Sequence, residues 1–287
     1  MAEPVRDGGP GPFDRDTAVE TLSLEGDHGS FAAEVAHGWR AGRGPHGGYL
    51  SAIILRALTE ALRDPGRSPR SLTIHFLRAP EEGPIVIDTT IERNGRSLSS
   101  LSARMSQGGV TMALALAAFS VPWQGPELSE VAMPHVSPPT PDREPGTLIP
   151  LEHGPAFARY ITLQPRFGGM PFSDPDQPMD TGGWLGLVEP RPLDALALAF
   201  FTDALIPTPF LRLAGPAPAP TIDLTIHFRT ALPRPGRNGA SPDPHELVLA
   251  RTTSQLIHEG FFEEDASIWS HDGVLLVQSR QLALAIG

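Results

Sequence analysis

Cysteine and lysine are both absent from the 287 residues. Without cysteine there is no disulfide framework, no thiolate nucleophile, no cysteine-ligated zinc and no iron–sulfur cluster. Without lysine, every basic side chain other than histidine is arginine. Acidic residues outnumber basic ones by 33 to 22, so the formal charge is −11. That leaves no broad basic field for nucleic acid or an anionic membrane surface. No apolar run approaches the roughly 18–20 residues of a membrane-spanning helix. The opening "MAEPVRDGGPGPFDRD" lacks the apolar centre of a secretory signal. These absences lead us to expect a cytoplasmic protein. Phosphate-loop, dinucleotide-loop and nucleophile-elbow patterns are also missing, as is any HxxxH or HExxH grouping, so no cofactor and no metal are expected.

What is present is repetition. The strand-like segment "LTIHF" occurs at 72–76 and again at 224–228, and 224 − 72 gives an offset of 152. Upstream of the first copy, Leu50, Ile53, Ile54, Ala57, Leu58, Ala61 and Leu62 form a stripe with helical spacing. Upstream of the second, Leu193, Leu196, Ala197, Phe200, Phe201, Ala204 and Leu205 repeat the same steps. Downstream of each copy come three further strand patterns. They are broken at Asn94-Gly95 and Gly108-Gly109 in one half, and at Glu259-Gly260 and Asp272-Gly273 in the other. Shorter strands are expected before each helix, at 19–25 and 30–38 and at 157–164 and 182–188.

The pattern predicts an internal duplication of class α+β. Each half is expected to have an antiparallel sheet wrapped around a long helix, with LTIHF opening a four-stranded meander. The two sheets are expected to join edge to edge as a pseudo-dimer, because pairing covers exposed edges. The expected units are 1–120, a proline-rich linker at 121–150, and 151–287. The hydrophobic content of 40% suffices for two cores of ordinary size.

A duplicated scaffold needs its structural residues twice but catalytic ones only once. The offset of 152 sets Thr221 against Pro69. Aligning Gly273 with Gly109, an offset of 164, sets Gln281 against Ala117. Aligning the helices sets Asp203 against Glu60. Asp203 falls near the end of its helical pattern, where a negative charge opposes the helix dipole at a cost of roughly 0.3–1 kcal/mol. Gln281 interrupts an apolar strand, which is costly unless its amide is bonded, although an outward-facing glutamine would also fit. Gly47 and Gly48 open the first helix, where backbone N–H groups can hold an oxyanion. His75 and His227 share the polar face of their strands. They read either as a paired general base or, the expectation here, as ordinary strand histidines.

From about residue 20 onward the chain resembles the type II, double-hotdog acyl-CoA thioesterase family. "HGGYLSAIILRAL" resembles that family's first helix and "SLTIHFLRAP" its next strand. "AFFTDALIP", "TIDLTIHFR" and "DGVLLVQSRQLAL" resemble pieces of its second half. The resemblance implies a thioester hydrolase acting on acyl-CoA, with Asp203, Thr221 and Gln281 holding the attacking water. Gly47 and Gly48 match a family glycine pair only loosely. A homodimer or larger homo-oligomer is implied by resemblance alone. The segment 232–246 resembles an insertion, and the 18 residues from Asp203 to Thr221 are few for the family. Arg70, Arg78, Arg229, Arg234 and Arg237 are candidates to attract CoA phosphates. Two other readings stand beside this one. One is an enoyl-thioester hydratase or dehydratase using His46 or His75, and the other is a non-catalytic acyl-thioester-binding module.

Overall fold

A computed structural model describes residues 9–234 and 241–285. Arg237 and the centre of the 232–246 segment lie outside the described residues. The first half begins with α1 (Pro12–Asp16), β1 (Glu20–Glu25) and β2 (His28–Val35). A small hairpin follows, β3 (Arg40–Ala41) with β4 (Gly44–Pro45). Next come α2 (Gly47–Leu62), β5 (Ser68–Phe76), β6 (Gly83–Asn94), β7 (Leu98–Gln107) and β8 (Val110–Ser120). The second half has β9 (Ile161–Phe167), β10 (Asp180–Leu187), α3 (Ala195–Phe201) and β11 (Thr221–Phe228). It ends with β12 (Val248–Thr253), β13 (Ile257–His258), β14 (Phe261–Trp269) and β15 (Leu275–Leu284).

Apart from the small β3-β4 hairpin, the sheets of the two halves join edge to edge, as expected, into one continuous sheet. Its order is β1-β2-β6-β7-β8-β5-β11-β15-β14-β12-β10-β9, with β13 added beside β14. The halves mirror each other across β5 and β11, which are the two LTIHF strands. These pair antiparallel with Thr73 opposite Thr225, and the two hydroxyls lie 3.2 Å apart. The pseudo-twofold axis therefore passes between these threonines. LTIHF was expected to open the meander, but it lies on the far side of it, since β5 pairs with β8 and β11 with β15. That arrangement leaves each LTIHF strand one open edge, and the two edges satisfy each other.

The second helix is also shorter than its pattern suggests. α2 runs for 16 residues, but α3 for only 7. Asp194 caps α3, accepting the Ala197 N–H at 2.9 Å, so Leu193 lies outside the helix. At the other end the chain tightens into i→i−3 bonds, Asp203 N to Phe200 O and Ala204 N to Phe201 O. α2 is buried on nearly all sides because the sheet covers one face and α3 another. Tyr49, Ile53, Leu55 and Leu58 are fully buried. Each such side chain contributes roughly 1.5–3 kcal/mol of burial.

Segment 121–150 lies across the outer face of the second half. Met133 and Val136 pack against Trp184, Leu247, Leu249 and Trp269. The Trp184 indole donates to Ser137 O at 2.9 Å. With α3 on one side and this segment on the other, β10 is buried along nearly its whole length, which is why "GGWLGL" shows no alternation.

Candidate functional site

α2 begins where α3 ends, and the glycine pair permits the approach. A Cβ on Gly48 would run into the Phe200 carbonyl, and one on Gly47 would lie 2.8 Å from Asp203 Oδ2. Asp203, past the end of its own helix, turns its carboxylate to the start of the other. Oδ2 accepts the Gly48 N–H at 2.9 Å. The charge that opposes α3's dipole therefore sits at the positive end of α2, where it is stabilised. The Asp203 side chain is 15% exposed, accessible but shielded.

His46 caps α2 and completes this corner. Its Nδ1 accepts the Tyr49 N–H at 3.2 Å, and its Nε2–H donates to Asp203 O at 2.7 Å. The same Nε2 lies 3.5 Å from Asp203 Oδ2. These partners fix a neutral imidazole protonated on Nε2. Burial pushes the His46 pKa down, against the opposing pull of Asp203. Phe157 and Phe200 pack on the ring, with centroids 4.2 and 5.0 Å away. The short helix that carries Phe157 also borders a half-open cleft of about 240 Å³, lined by Leu151, Pro155, Ala156 and Arg159.

Thr221 and Gln281 form a second group. Strand alternation from the buried Leu224 and Ile226 would send Thr221 outward with Thr225. A register shift between Thr221 and Asp223 turns it inward. Thr221 Oγ1 donates to Gln281 Oε1 at 2.9 Å. Gln281 is buried on the inner face. Its Nε2 donates to Glu264 Oε2 at 2.5 Å. Glu264 Oε1 accepts the Thr208 N–H at 2.6 Å. Thr208 opens a 3-10 turn (Thr208–Leu211) five residues beyond Asp203.

The structure thus joins Gly47, Gly48 and Asp203 in one cluster, and Thr221 and Gln281 in another. No direct hydrogen bond links the clusters among the described residues. They are connected by the chain from Asp203 to Thr208, and Asp203 lies near enough to raise the Glu264 pKa by charge repulsion. Glu264 was missed from sequence. Its signal was there: in "FFEEDASIW" it shares the alternating phase of Phe262, Ala266 and Ile268, all buried. His75 and His227 are exposed on the outer face, opposite Asp223 and Ser71, and do not meet. Of the arginines, Arg234 forks onto Asp272 and Arg229 bonds Gln278. Arg78 bonds the Thr111 carbonyl, and Arg70 is half-buried on β5.

Comparison with known proteins identifies the family. Residues 35–120 match the family model for the acyl-CoA thioesterase N-terminal domain, and residues 133–285 match the model for its C-terminal domain. The chain belongs to the acyl-CoA thioesterase II family. A hot dog fold protein of unknown function from Alicyclobacillus acidocaldarius superposes with a TM-score of 0.83 at 26% identity, covering 97% of this chain and 99% of that one. A putative thioesterase II from Thermobifida fusca gives a TM-score of 0.73 at 24% identity over 96% and 98% of the two chains. An uncharacterised Mycobacterium tuberculosis protein is 26% identical over 299 aligned positions, covering 93% of this chain and 97% of its own. The thioesterase family domains thus span both halves of the duplicated sheet. No helix among the described residues is long and apolar enough to cross a membrane.

Proposed function

We propose that the protein hydrolyses an acyl-CoA thioester by direct attack of a water held between Asp203, Thr221 and Gln281. A thioester is already an activated acyl group, so no covalent nucleophile is required, in keeping with a chain that has no cysteine. Asp203 Oδ2 is committed to Gly48, whereas Oδ1 has no hydrogen-bond partner among the described residues. Oδ1 is therefore the oxygen that takes a proton from water. Thr221 spends its own proton on Gln281 and keeps lone pairs to accept from that water. Gln281 gives one amide hydrogen to Glu264 and keeps the other for the water or the thioester oxygen. The water oxygen bonds to the carbonyl carbon, the C–S bond breaks, and the abstracted proton passes to the departing thiolate. General-base assistance of this kind is typically worth about 10²–10⁴-fold. Because the Gly48 N–H already serves Asp203, it is not free to meet a developing oxyanion while that bond holds.

The observation that carries this reading is the one-sided polar site. Asp203, Thr221 and Gln281 sit on a duplicated scaffold whose other half has Glu60, Pro69 and Ala117 at the matching positions, and Glu60 is exposed. The hydratase reading needs a histidine base. His46 has both nitrogens engaged, and His75 is on the outer face. The test is thiol release from short, medium and long acyl-CoAs by wild type and Thr221→Val. Release by wild type with a loss of about 10-fold or more in the variant supports the reading and names the acyl length. Absence of release from every thioester would instead favour a binding module.

A further inference from the structure

We propose that Glu264 is the positioning residue of this site: its carboxylate orients the Gln281 amide and anchors the chain beyond Asp203 at Thr208. The inference rests on the hydrolase reading above and adds a residue to it. An ionised carboxylate only accepts hydrogen bonds. With Glu264 Oε2 at 2.5 Å, the near end of Gln281 must be its NH2, so the amide oxygen must face Thr221. The other carboxylate oxygen takes the Thr208 N–H at 2.6 Å. One buried group therefore holds both sides of the site.

The duplication identifies Glu264 as part of the chemistry rather than of the scaffold. Register sets Gln281 beside Leu224 and Ala117 beside Leu72, which supports both sequence offsets. Across the next ladder Gln281 faces Glu264, and Ala117 faces Leu101. The matching positions in the first half are thus Pro69, Ala117 and Leu101. Both halves carry the same register shift, after Pro69 and after Thr221. The scaffold is built equally well with three apolar residues, so Thr221, Gln281 and Glu264 form one polar replacement.

The charge state of Glu264 matters to this arrangement. The nearby charged group on a facing element is Asp203, beside neutral His46 on the start of α2. On β14 itself Glu263 and Asp265 point to the other face, where Asp265 pairs with Arg280 of β15. Burial, with repulsion from Asp203, pushes the Glu264 pKa up to about 7, against the pull of the Thr208 and Gln281 donors. Protonation on Oε2 would set a donor against the Gln281 NH2, while Oε1 still accepts the Thr208 N–H. Turning the Gln281 amide over relieves that clash and removes the amide oxygen from Thr221.

Glu264→Gln holds that neutral arrangement permanently. We expect kcat for the preferred acyl-CoA to fall about 10–100-fold at about pH 8, with KM within about 3-fold. We also expect the wild-type loss of kcat below about pH 7 to vanish in the variant. Unchanged kcat with the acid limb retained would overturn the proposal. If the variant does not fold, the exchange Glu264→Gln with Gln281→Glu restores every donor to an acceptor. Recovery of wild-type melting temperature supports the pairing, and no recovery refutes it. A readout independent of turnover keeps this inference separate from the hydrolase reading. In protein labelled with 15N-glutamine, the Gln281 side-chain signal should titrate between about pH 6 and 8 in wild type and not in Glu264→Gln. A Gln281 signal that stays still refutes the positioning role even if acyl-CoA is hydrolysed. A signal that moves in a protein inactive on every acyl-CoA leaves the positioning role standing and removes the hydrolase reading.

Discussion

Asparagine at position 203 separates the electrostatic role of the carboxylate from its chemical one. The side chain has nearly the same shape, and its amide oxygen can still accept the Gly48 N–H, 2.9 Å away in the wild type. What disappears is a full negative charge at the start of a 16-residue helix. Such a charge is worth about 0.3–1 kcal/mol, and up to about 2 when partly buried. For a chain of this length each kcal/mol moves the melting temperature by roughly 2 °C. Asp203→Asn should therefore lower it by about 4 °C or less. Activity should respond on another scale. Losing a general base costs about 10²–10⁴-fold, or about 3–5 kcal/mol of barrier. Thermal unfolding and thiol release on one preparation compare the two. A loss of less than about 3-fold in kcat would rule out Asp203 as the base. A fall of about 10 °C or more would mean that the carboxylate serves mainly to hold α2 against α3.

Gly48→Ala should cost about 1–3 kcal/mol of overpacking, because its Cβ meets the Phe200 carbonyl and the backbone must move. Gly47→Ala meets a side-chain oxygen instead, so it should reduce kcat more than melting temperature. Glu264 also makes stability depend on pH. Its folded pKa of about 7 lies above the ordinary value of 4.5, so between those pH values the folded state holds a proton that the unfolded chain has released. Stability should fall as pH rises through that window, by about 3 kcal/mol at most, and level off above about pH 7. In denaturant melts from about pH 4.5 to 8, wild type should lose stability relative to Glu264→Gln as pH rises, the gap being widest at the alkaline end. A wild-type curve parallel to the variant's would refute the raised pKa.

Residue pattern alone determined the duplication, the class of the main helices and strands and the glycine turns between the later strands, but not α1, the β3-β4 hairpin or β13. Apolar spacing at 3.6 or 2 is a local property, and glycine pairs end strands wherever they occur. The half-to-half comparison also isolated Thr221 and Gln281, because a polar residue that replaces an apolar one needs a local reason, whereas Asp203, set against Glu60, stood out only by opposing its helix dipole. Three things required the tertiary structure. The LTIHF strands pair with each other because each is left with one open edge, and strand order cannot be read from strand pattern. Thr221 faces inward only because a register shift inverts the alternation that its neighbours obey. Asp203 looked unfavourable beside its own helix, yet it is stabilised by the start of another helix 155 residues away in sequence. Hydrogen bonds and dipoles act across space, so an isolated charge in the sequence acquires its meaning only when the chain brings its partner alongside.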